Sequence, residues 1–131
     1  MNRLTSTITA IQTVDNLNIV AFTLHNHSLK MMSLDLGENV QIATKVIVHF
    51  KSTSVAIGKE NNSDLSICNQ LPVKILSIEE GLLVSLLRLE FHEYTLESII
   101  TTSSLQRMNL AVGDSVIALV KSSDLSIKEV L

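Results

Sequence analysis

The sequence predicts an all-β protein made of two tandem copies of one small unit, and three observations point there. The chain nearly repeats itself: Asn2-Arg3-Leu4-Thr5-Ser6-Thr7-Ile8-Thr9-Ala10-Ile11 returns as Asn69-Gln70-Leu71-Pro72-Val73-Lys74-Ile75-Leu76-Ser77-Ile78. Later in each copy, Val46-Ile47-Val48-His49-Phe50-Lys51-Ser52 matches Val116-Ile117-Ala118-Leu119-Val120-Lys121-Ser122, so the second copy carries three extra residues in its middle. Apolar residues alternate with polar ones in short runs rich in β-branched side chains, the pattern of half-buried strands. Finally, 46% of residues are apolar but only 3% aromatic, so the core must be built from Ile, Leu and Val.

The elements follow in order. Leu4, Ser6, Ile8 and Ala10 alternate with Thr5, Thr7, Thr9 and Ile11, which reads as a first strand. Asp15-Asn16 is a turn signal, and Glu79-Glu80-Gly81 is its counterpart. Second strands are predicted over Leu17–Leu24 and Leu83–Phe91, with hairpin tips at His25-Asn26-His27 and His92-Glu93-Tyr94. Third strands run over Ser28–Ser33 and Thr95–Thr101. Ser103-Ser104-Leu105-Gln106-Arg107-Met108-Asn109-Leu110 opens on good capping residues and reads as a short helix. Its partner Leu34–Val40 is shorter and contains Gly37, which also fits a turn. Lys45–Phe50 with Ser54–Ile57, and Ser115–Val120 with Leu125–Ile127, close the two units. Five short strands with a small helix between the third and fourth describe an OB-like Greek-key barrel, so two tandem barrels are expected. The expected boundaries are residues 1–60 and 66–131, joined by the polar stretch Lys59–Asp64.

Composition narrows the function. The net charge is −3 with a pI near 5.7, and aromatics are sparse, which opposes a nucleic-acid surface. The one cysteine, Cys68, has no internal partner, which suits a reducing compartment. Neither a signal-peptide pattern nor an apolar run of membrane-spanning length is present, so the expectation is a cytoplasmic protein without a membrane role. His25-x-His27 on a strand would put two rings on one face, yet no third ligand is apparent, and a metal site is not expected. No nucleophile–base constellation is visible, so no enzyme is expected.

Asn69-Gln70-Leu71-Pro72, Ile78-Glu79-Glu80-Gly81, Ile100-Thr101-Thr102-Ser103-Ser104, Leu110, Gly113-Asp114, Val116 and Val120-Lys121-Ser122-Ser123 follow one another in the second copy. In order and spacing they resemble the Mop module, a molybdate-binding unit of TOBE type, and the first copy follows the pattern loosely. Two copies in one chain resemble the di-Mop proteins: cytoplasmic molybdate-storage proteins and the effector half of molybdate-responsive regulators. The resemblance implies molybdate or tungstate as a bound ligand, held at module interfaces in a homo-oligomer, trimer or dimer. The oxyanion-binding candidates it implies are Ser66, Asn69, Thr101, Ser104, Lys121 and Ser122, and in the first copy Asn2, Lys51 and Ser52. A tetrahedral dianion wants convergent hydroxyl and N–H donors and a compensating cation, which these residue types supply. Plainer readings stand beside these roles. Thr101 and Ser104 also suit helix capping, Lys51 and Lys121 suit strand ends facing solvent, and Asn2 and Asn69 suit side-chain-to-backbone brackets.

The departures from the pattern are specific. The family's arginine falls at Cys68 and Met1, its usual glycine after N-Q-L-P falls at Val73, and the first copy lacks the Thr-x-x-Ser string. A thiol cannot replace a cationic fork. The alternative expectation is therefore a Mop-type regulatory or interaction module that has lost its ligand and acts through a protein partner.

Overall fold

The computed structural model describes residues 1–131. The strands are β1 (Asn2–Val14), β2 (Leu17–Leu24), β3 (His27–Ser33), β4 (Lys45–Phe50) and β5 (Ala56–Gly58). The second copy supplies β6 (Asn69–Glu80), β7 (Val84–Phe91), β8 (Tyr94–Thr101), a helix α1 (Thr102–Arg107), β9 (Ser115–Val120) and β10 (Ser126–Val130). They form two five-stranded antiparallel sheets, each curled as an OB-like half-barrel.

The alternation read from the sequence places the core. Leu4 and Ile8 of β1, Val20, Phe22 and Leu24 of β2, and Val46, Val48 and Phe50 of β4 point inward. Leu71 and Ile75, Leu87, Leu89 and Phe91, and Val116, Ala118 and Val120 do the same in the second copy. All of these belong to one cluster of 24 buried residues, so the copies share a core rather than burying two. Each small unit gains apolar area that it could not bury alone. Both first strands bulge at the same place, between Ile8 and Ala10 and between Ile75 and Ser77. The bulge ends the strict alternation there, which is why Ala10 is exposed although the period-2 pattern turns it inward.

Two features differ from the sequence reading. The first is strand pairing. The order in one sheet is β10-β4-β1-β2-β3 and in the other β5-β9-β6-β7-β8. The last strand of each copy thus joins the other copy's sheet: Ile57 pairs with Ala118, and Ile127 with Val48. The 3-10 turns Ser52–Ser54 and Ser122–Asp124 carry the chain across. Alternation fixes which face of a strand is buried, but not which neighbour it pairs with.

The second difference is the helix. The second copy has α1 between its third and fourth strands, capped by Thr101 and closed by Asn109 in the left-handed conformation (φ 52). In the first copy the same stretch forms turns, with the Val40 N–H bonded to the Gly37 carbonyl, and no helix. Three residues are missing there, close to one helical turn. Leu36 and Val40 still pack on the core, as Leu105 and Leu110 do in the second copy.

Two asparagines bolt the copies together. Asn69, fully buried, accepts from the Lys30 N–H (2.7 Å) and donates to the Lys30 carbonyl (2.9 Å). Asn2 does the same to Glu97, at 2.7 and 2.9 Å. Each bracket pairs the outer edge of a third strand that no other strand covers.

Candidate functional site

Where β8 runs into α1, the chain presents a row of polar groups. Thr101, the last residue of β8, takes an extended conformation and accepts from the Ser104 N–H through Oγ1 (3.2 Å). The same hydroxyl donates to Ser104 Oγ at 3.0 Å. Arg107, one turn further, donates from Nη2 to Ser104 Oγ at 3.2 Å. The exchanged segment of the first copy faces this row. Its 3-10 turn brings Thr53 and Ser54, and Ala56 and Ile57 follow. Together they line a cleft of about 320 Å3 that contains hydroxyls, one guanidinium and apolar side chains, and no carboxylate. Val55, at its floor, is buried, and its carbonyl accepts from Ser98 Oγ at 2.6 Å.

The equivalent cleft around the first copy is built from the same elements with different residues. Ser123, Ser126 and Ile127 stand for Thr53, Ala56 and Ile57, and Leu34 stands for Thr101. Without a helix it opens to about 680 Å3, and its wall carries Asp35 and Glu129 beside Lys128.

The remaining candidates from the sequence fall into separate groups. Lys121 and Ser122 do not line the Thr101 cleft; they open the 3-10 turn after β9, where Ser122 Oγ lies 3.3 Å from Cys68 Sγ. Lys121, Cys68 and Ser66 are exposed. Lys51 opens the equivalent turn, with Ser52 beside it, and lines a third cleft of about 370 Å3 with His49, Ser54, Ser123 and Asp124. Asn69 and Asn2 are turned inward with both polar atoms of each amide engaged by backbone. Arg107, Thr53 and Ser54 were not singled out from the sequence. Arg107 sits on a helix face that periodicity assigns to solvent, and Thr53 and Ser54 reach the cleft only through strand exchange.

The hairpin tips of the two copies also meet. The rings of His25 and His92, equivalent residues, stack at 4.2 Å, and His25 Nε2 lies 2.6 Å from Glu93 Oε1. His27 packs beside His92 and Phe91. Burial, then the charges of His92 and His25, holds the His27 pKa below its ordinary value. Glu93 is held below the usual carboxylate range, first by a bond from its own backbone N–H and then by His25. No group of three or more His, Cys, Asp or Glu side chains is arranged to hold a metal ion.

Residues 65–127 match the TOBE domain family along nearly the whole second copy. The second half of this chain is a TOBE domain. Six of the sequence candidates (Ser66, Asn69, Thr101, Ser104, Lys121 and Ser122) lie inside the TOBE match, and Lys51 and Ser52 lie outside it. Nineteen solved chains resemble the fold. Among them is a crystal structure of the cytoplasmic molybdate-binding protein ModG with molybdate bound, at TM-score 0.89 and 20% identity, over 96% of this chain and 94% of that one. That likeness covers both sheets, so the first copy shares the fold although the TOBE match stops short of it. No curated protein matches the chain.

Proposed function

We propose that this chain is a non-catalytic, cytoplasmic oxyanion-binding protein that takes molybdate or tungstate for storage or homeostasis. One observation carries the reading: the Thr101 cleft gathers Thr53, Ser54, Thr101 and Ser104 with no carboxylate, in a chain whose fold is that of a molybdate-binding protein. A tetrahedral dianion is held by such hydroxyls because each rotates its O–H toward the nearest oxygen. Lys121, with Ser122 and Ser66, forms a second donor group, and Lys51 with Ser52 a third. Residues 1–60 and 66–131 act as paired Mop-like modules. The chain assembles as a homo-oligomer in which the exposed Lys121 group of one chain faces the Thr101 group of a neighbouring chain. The separation of these two groups within one chain supports that assembly.

Calorimetric titration of the purified protein with molybdate, and with sulfate as the control, tests the reading. Saturable binding of molybdate at micromolar or lower concentration, without sulfate binding, is the expected result. Lys121→Ala should weaken it by about 10- to 100-fold, since a charge-assisted hydrogen bond contributes about 1.5–3 kcal/mol, with melting unchanged. Unaltered affinity in that variant removes Lys121 from the site. Cys68, in the place of the family's arginine, supports a second reading as an interaction module that has lost its ligand. Absence of heat with either anion favours it.

A further inference from the structure

We infer that Arg107 is the cation that receives the oxyanion, in place of the arginine that Cys68 displaces, and that it confines dianion binding of this type to the Thr101 cleft. The inference rests on the oxyanion reading above.

Arg107 is positioned and uncommitted at once. Its Nη2 is fixed on Ser104 Oγ at the cleft wall, while the guanidinium carries five N–H donors in a planar fork, of which this bond uses one. The ion pairs of the chain join His25 to Glu93 and Arg88 to Glu79 and Glu97, so Arg107 has no carboxylate partner. An arginine held at a cleft but left unpaired is available to an anion.

Ser104 completes the arrangement. Its Oγ accepts from both Arg107 and Thr101, which leaves its own hydroxyl hydrogen free to donate into the cleft. A cation and an outward O–H, on either side of one oxygen, match two adjacent oxygens of a tetrahedral dianion. The equivalent cleft has lost this geometry with its helix. Asp35 and Glu129 on its wall repel a doubly negative ligand, and Lys128 offsets one of the two charges.

Molybdate titration of the full chain, of Arg107→Ala and of Arg107→Lys tests this. Arg107→Ala is expected to weaken binding by about 10- to 100-fold, and Arg107→Lys to recover part of the loss through charge without the fork. Far-UV circular dichroism and melting should not change, because Arg107 is exposed. Wild-type affinity in Arg107→Ala overturns the inference and leaves the oxyanion reading standing. A site of wild-type affinity remaining in part of the Arg107→Ala stoichiometry shows that a cleft other than the Thr101 cleft also binds, and overturns the confinement. No molybdate heat from the unmodified chain overturns both.

Discussion

The two copies share a strand order, a bulge and an inter-copy bracket, yet the clefts beside their third strands have diverged in opposite chemical directions. One is narrow, hydroxyl-lined and free of carboxylates; the other is about twice as large and carries two. The scaffold residues repeat because each copy needs the same core and the same edge protection. The cleft residues are set by the segment between the third and fourth strands, where the chain lengths differ. The contrast separates what holds the fold from what lines the clefts, and single changes can test where that line falls.

The largest effect is expected where the copies are most alike. Asn69→Ala and Asn2→Ala each leave one backbone N–H and one carbonyl without a partner, at Lys30 and Glu97 respectively. Each should cost about 2–4 kcal/mol in urea unfolding, at the upper end for the fully buried Asn69. A near-zero cost for either would show that the brackets are not equivalent supports.

A smaller effect is expected where the copies adopt one conformation with different residues. Gly113 (φ 93) and Ala43 (φ 73) occupy the same turn, each donating its N–H to the bulged strand, at Ile75 and Ile8. Only glycine adopts that conformation without a Cβ penalty, so Gly113→Ala should cost about 1–2 kcal/mol. Ala43→Gly should gain up to about 1 kcal/mol, as a rise in melting temperature. Equal and opposite signs would confirm that the first copy tolerates strain the second avoids.

The smallest effect concerns the hairpin tips, where His27 has Tyr94 as its counterpart. A histidine whose folded pKa lies below its ordinary 6.5 binds fewer protons when folded than when unfolded. Stability is therefore lost as pH falls through about 6.5 and levels off below the folded-state value. A drop in melting temperature between pH 7.5 and 5.5 is expected, and His27→Gln should reduce it. An unchanged slope in that variant would remove His27 as the source of the effect.

Much of this was legible in the sequence because it is local or repeated. Period-2 alternation located the strands from Leu4 to Val120, and the repeat predicted paired hairpins and turns. The helix at Ser104 followed from its caps, whereas in the first copy Gly37 and the three missing residues left helix and turn both open, and the structure has the turn. The strand exchange was not legible, because β5 and β10 carry the same apolar pattern whichever sheet receives them. The cleft suffered from the same cause. Thr101 and Ser104 could be named from a motif four residues long, whereas Thr53 and Ser54 reach it from the other copy by a pairing no local pattern records. Asn2 and Asn69 show the converse. Their repetition marked them as important, and the structure places them in the frame, away from the cleft.

The exchange of β5 and β10 also sets an order on assembly during synthesis. The first sheet waits for Ser126–Val130 to cover the free edge of β4, so the second copy up to Ser126 is made while that edge stands open. Val46 and Val48, both fully buried at the end, lie along the strand concerned. Nascent chains stalled in the second half would present an unpaired, valine-rich edge to neighbours on the same message. The pairing that completes the first sheet thus forms only after the second copy has been made, and the two copies become native together.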